Sequence, residues 1–258
     1  MQNSPTFPTP GHAAVAKLVT QFFKGVPETD TILVVNSCAR GQATADSDLD
    51  FAVLLKEGEG SKCGALERKW LEFIQGEAAY HAFKDSGPHA HVHLDVIDGQ
   101  FGWSEWDEGG GPDFFEVEIG NRIAHSAPMG KVGSHFKSLK KKWLPYYDEE
   151  SRLHRLEMVV KGCNYHIDHA VISVHRGLNF HAFDLLYRAM QEFLQALFIS
   201  RKVYPLAYNK WIRYQIEDIL GMMAVYVELE RWLAFLAMDT NAVVHRAEEL
   251  KAMLQKYV

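Results

Sequence analysis

The stretch from Thr31 to Leu55 limits the fold more than any other, because it reads as strand, polar turn and strand in direct succession. "TILVV" (31–35) and "FAVLL" (51–55) are β-branched and apolar, and "NSCARGQATADSDLD" (36–50) joins them through turn-forming residues. Side chains alternate along a strand, so Asp48 and Asp50 share one face while Leu49, Phe51, Val53 and Leu55 share the other, core-seeking one. Two neighbouring carboxylates repel each other, and setting them beside a core is unfavourable unless something offsets their charge. A bound divalent cation does this naturally, since hard cations take carboxylate oxygens as ligands.

The rest of the chain builds outward from that pair. Val15, Leu18, Val19, Phe22 and Phe23 form a helical stripe over Ala13–Lys24, and Ala65–Phe83 reads as a second helix despite Gly76. His91–Asp98 alternates as a third strand, with Val92, Leu94 and Val96 on one face and Asp95 on the other. If it neighbours the Asp48–Asp50 strand, three carboxylates converge, the ligand set for a two-magnesium phosphoryl- or nucleotidyl-transfer centre. Phe115, Val117 and Ile119 alternate with Glu116 and Glu118, which predicts a fourth strand.

Past about residue 145 the pattern becomes helical. Leu156, Val159, Val160, Cys163 and Ile167 fit one helix face, and Leu185 to Phe198 supply a second. Val225, Leu229, Trp232, Leu233 and Leu236 supply a third, and residues 241–258 a fourth. The predicted class is therefore α+β: a mixed sheet with flanking helices over residues 1–145, then an all-α bundle over residues 146–258.

Composition narrows the function. A net charge of -6 argues against broad nucleic-acid binding, which needs a basic face, and the basic run "KSLKKKW" (137–143) lacks interleaved aromatics before Trp143. No apolar run reaches membrane-spanning length, and no signal peptide is read at the start. Three cysteines without CxxC spacing point to a reducing cytoplasm.

"NSCARGQATADSDLDFAVLL" resembles the signature of the DNA polymerase β-like nucleotidyltransferase superfamily: a Gly-Ser pair, a stretch with Arg-Gly, then Ser-Asp-x-Asp opening a strand. The Ser-x-Ala-Arg-Gly portion and the helical second half are similar to the antibiotic-modifying branch, the aminoglycoside and lincosamide nucleotidyltransferases. The resemblance implies that Asp48 and Asp50 ligate nucleotide-bound Mg2+, two ions in all. Asp95 then completes the second metal site or activates the acceptor hydroxyl. Ser37, with its neighbouring backbone N–H groups, and Ser47 would bind the triphosphate of ATP, with Arg40 serving either the nucleotide or the loop. It further implies transfer of AMP to a hydroxyl of a small molecule such as an aminoglycoside-like antibiotic, bound between the two halves. Glu116 is the candidate general base, and Lys202 and Lys210 are candidate phosphate contacts. Asn36 stands where the family has glycine.

Two other readings stand beside this one. A His89-x-His91-x-His93-x-Asp95 face has the spacing for zinc or nickel. A nucleotide-binding or toxin–antitoxin-type module that modifies or regulates a protein partner, catalytically active or not, is compatible with the same signature. Oligomeric state is open, and a homodimer is compatible with the sequence.

Overall fold

The computed structural model describes residues 5–105, 110–234 and 239–258. The chain divides into two compact units, Met1–Phe101 with Glu118–Leu144, and Gly102–Val117 with Pro145–Val258.

The first unit is built on a four-stranded mixed sheet of order β3-β2-β1-β4, formed by β1 (Thr29–Val34), β2 (Leu49–Leu55), β3 (Val92–Ile97) and β4 (Ala127–Pro128). β1 is antiparallel to β2 and β4, and β3 is parallel to β2. Leu49, Phe51, Val53 and Leu55 enter a core with Ile32 and Val34, as their parity predicts. Helices α1 (Pro10–Lys24), α3 (Cys63–Ile74) and α4 (Ala78–Lys84) complete this core through Val15, Val19, Phe23, Trp70, Ile74 and Phe83. The short α2 (Asn36–Ala39) occupies the start of the polar turn. Leu33, Ala52 and Leu54 have the opposite parity and are buried too, so the central strands are covered on both faces.

Two local expectations give way. The helix predicted over Ala65–Phe83 breaks into α3 and α4 around Gly76, whose lack of a side chain makes it the weakest helical position in the stretch. Phe115–Ile119 is not a strand but the helix α5, continued by a wider turn at Gly120–Ala124. Phe115, Ile119 and Ile123 are all buried and recur every four residues. Over five residues that spacing is indistinguishable from strand alternation.

Helix α6 (Ser134–Trp143) packs along β1 and β2 and is capped from the sheet. Asp30 accepts from the backbone N–H groups of His135 and Phe136, at 3.0 Å each. These are N–H groups of the first turn that a helix cannot satisfy internally. Gly133 leaves room for that carboxylate: a Cβ there would fall 2.1 Å from Asp30 Oδ1.

The second unit is helical, with α7 (Glu149–His175), α8 (Asn179–Arg201), α9 (Ile212–Tyr214), α10 (Met223–Trp232) and α11 (Thr240–Tyr257). Asp148 caps α7 and Asp239 caps α11, each accepting from the N–H three residues on. The stripes foreseen on α7, α8 and α10 form one core with α11, from Val159, Cys163 and Ile167 to Val225, Leu229 and Trp232. Leu233 is exposed, and Leu236 lies outside the described residues. No helix among the described residues is long and apolar enough to cross a membrane.

Candidate metal and nucleotide site

The turn between β1 and β2 is held at both ends by the sheet. Val34 pairs with Phe51, and the Val35 N–H donates to the Asp50 carbonyl at 3.1 Å, which sets Asn36 beside Asp50. Asn36 has a φ of 55°, in the left-handed region. Asparagine tolerates that region better than most residues, so the position where the resembled family has glycine keeps a glycine-like backbone. The Asn36 side chain also lies near enough to Asp50 to favour its ionised form.

His12, on α1, anchors the far side of the turn. It is buried, and its Nε2–H donates to the Ser47 carbonyl at 2.9 Å while Nδ1 takes the Thr9 hydroxyl at 2.7 Å. One residue later the chain reaches Asp48. Arg40 Nε donates to Gln42 Oε1 at 3.1 Å, so this arginine braces the loop. The Ser47 hydroxyl accepts from the Thr44 N–H at 2.9 Å and faces the loop too. Ser37 is buried in α2.

Parallel pairing of β2 with β3 decides what joins the aspartates. Asp50 is opposite His93, and Ala52 is opposite Asp95. Donor atoms of Asp48, Asp50 and His93 all lie within 4.8 Å of one another, with His93 Nε2 3.9 Å from Asp48 Oδ2. Burial raises the Asp50 carboxyl above its ordinary range; the Asn36 side chain opposes this, and the Asp48 charge adds to it. Asp95 is on the same face two residues on, but its carboxylate pairs with Arg122 at 3.2 Å. The three predicted carboxylates are therefore a pair plus one, with an imidazole in the third place. Of the histidine run, His93 alone belongs to this group among the described residues.

Cys38 sits close enough to feel both aspartates. Burial first, then Asp50 and Asp48, push its thiol up to about 11, so it stays a neutral, inert SH group.

The remaining predicted residues belong to the second unit, where they have other partners. Glu116 is fully buried and accepts from Arg155 Nε and Nη2 at 2.6 and 2.7 Å and from the Tyr147 hydroxyl at 2.9 Å. Both its oxygens are occupied, so Glu116 is held as a buried, ion-paired group of the scaffold and not as a free base. Lys202 ends α8 in the left-handed conformation and pairs with Glu149 at 2.9 Å. Lys210 is exposed, and its carbonyl accepts from Gln215.

Sequence reasoning missed His12, the Asn36 amide and Arg122. His12 carried a faint signal, a polar residue just inside a helix start, whereas Arg122 is brought to Asp95 by the fold alone.

No family model matches the chain, and no curated protein matches it. Among solved structures it is similar to a nucleotidyltransferase-like protein from Exiguobacterium sibiricum 255-15. The two share 13% identity at a TM-score of 0.46, over 95% of this chain and 74% of that one.

Proposed function

We propose that the chain is a divalent-cation-dependent nucleotidyltransferase that moves AMP from ATP to a hydroxyl of a small molecule. The observation that carries this reading is the Asp48–Asp50 pair at the mouth of β2, with donor atoms of both and of His93 gathered together and the left-handed Asn36 beside Asp50. Two carboxylates, one of them partly buried and short of compensating charge, fit Mg2+, and Asp48 and Asp50 are the residues that would hold it. Bound there, the ion would supply positive charge against the negative charge of the phosphates at the attacked α-phosphorus. Ser37 and the N–H groups of the turn orient the triphosphate. The acceptor oxygen forms the new bond to the α-phosphorus, the bond to the bridging oxygen breaks, and pyrophosphate leaves. Arg122 holds Asp95 Oδ2, so the acceptor's proton would pass to the other Asp95 oxygen or to solvent.

The second reading, a nucleotide-binding module that acts on a protein partner, is favoured by one observation, the Asp95–Arg122 pair that turns the third carboxylate from the cluster. One experiment separates them: pyrophosphate release from ATP, with Mg2+ or Mn2+, over a panel of hydroxyl-bearing antibiotics including aminoglycosides. Turnover abolished in Asp48→Asn and Asp50→Asn supports the transferase. ATP binding without turnover on any acceptor supports the module.

A further inference from the structure

The third donor of the cluster is an imidazole, and this changes which ion the site prefers. We infer that Asp48, Asp50 and His93 form a mixed carboxylate–imidazole site that takes a first-row transition-metal ion, of the Mn2+ class, in preference to Mg2+. The inference rests on the reading above that Asp48 and Asp50 hold a cation, and it goes further by naming a ligand and a class of ion.

Geometry comes first. An ion whose bonds are about 2.0–2.2 Å long places its donors up to roughly 4.4 Å apart across itself. His93 Nε2 and Asp48 Oδ2 are 3.9 Å apart, inside that limit, and the whole donor set spans no more than 4.8 Å. Closing the remainder takes a few tenths of an ångström. The His93 and Asp48 side chains are 62% and 47% exposed, so both can shift that far without repacking a core. The position is fixed by backbone, since the parallel register sets His93 opposite Asp50 and the Leu49 N–H donates to the His91 carbonyl at 2.9 Å.

Chemistry then selects the ion. Mg2+ is a hard cation that takes oxygen and keeps several waters, so an imidazole adds little to its binding. Manganese accepts carboxylates and imidazole together, and the affinity of nitrogen-containing sites rises along the first transition row. Asp95 does not compete for the third place while its carboxylate is held by Arg122. The plainer account of the 3.9 Å contact is a surface His–Asp pair, which contributes almost nothing.

Mn2+ itself is the probe. The full chain is titrated with Mn2+ and with Mg2+, with and without ATP, following bound Mn2+ by electron paramagnetic resonance and its nitrogen couplings by electron spin-echo modulation. The expected result is directly bonded nitrogen on Mn2+, and Mn2+ binding tighter than Mg2+ by about tenfold or more. In His93→Gln the nitrogen coupling disappears and Mn2+ affinity falls by about tenfold, while Mg2+ affinity moves less than about twofold. Unchanged thermal unfolding of that variant excludes misfolding. Mn2+ bound without nitrogen coupling, or with equal affinity in His93→Gln, overturns the inference and leaves the nucleotidyltransferase reading intact. Mn2+ affinity unchanged in Asp48→Asn and Asp50→Asn as well overturns both.

Discussion

The two units each gather acidic side chains, and they treat them in opposite ways. In the second, Asp113 and Glu116 meet the buried Arg155, which donates to both, and Gln195 Nε2 donates to Asp113 and Glu116 at 2.9 and 3.0 Å. In the first, Asp48 and Asp50 face each other with a histidine and an amide for company. A buried carboxylate matched by a guanidinium is part of the scaffold. One left short of positive charge at a strand mouth is where a ligand's charge is wanted.

The largest effect is expected where the matched cluster is broken. Arg155→Ala leaves Glu116 buried without its counter-charge and should cost about 3–5 kcal/mol of stability in denaturant unfolding. Asp48→Asn and Asp50→Asn in the other unit should hold or slightly raise stability, because each removes a repulsion. If those two variants destabilise as much as Arg155→Ala, the contrast between the clusters fails.

Catalysis should reverse the ranking. Turnover is expected to fall by about 10²–10³-fold or more in Asp48→Asn or Asp50→Asn, the scale seen when one transition-state charge stabiliser is removed. Steady-state pyrophosphate release measures this.

Asn36 gives a finer test. Asn36→Gly keeps the left-handed backbone and should unfold within a few tenths of a kcal/mol of the parent, whereas Asn36→Ala should cost about 1 kcal/mol from the strained φ. Both remove the amide beside Asp50, so both should shift cation affinity alike. An Asn36→Gly protein with unchanged affinity would show that the residue serves the backbone only.

The smallest effect concerns the thiols. With its thiol pushed up to about 11 and its side chain buried, Cys38 should resist iodoacetamide at pH 8 in the folded protein. Cys63, half-buried, should label first, read by mass spectrometry.

Much of this was legible along the chain. The face carrying Leu49, Phe51, Val53 and Leu55, the helical stripes of the second unit and the side-by-side aspartates all follow from local periodicity, which the fold obeys. Phe115–Ile119 misled because five residues cannot separate a repeat of two from a repeat of four. Glu116 misled with it: an acid beside apolar neighbours resembles a poised base until its partner is known, and Arg155 lies 39 residues away.

By itself the sequence determined that Asp48 and Asp50 stand together, since strand alternation is a property of the backbone and needs no distant partner. Tertiary structure alone decided their company. The parallel register set His93 rather than Asp95 opposite Asp50, and a helical turn brought Arg122 to Asp95. Pairing between strands and ion pairs across the fold depend on which surfaces meet, and no local pattern states that in advance.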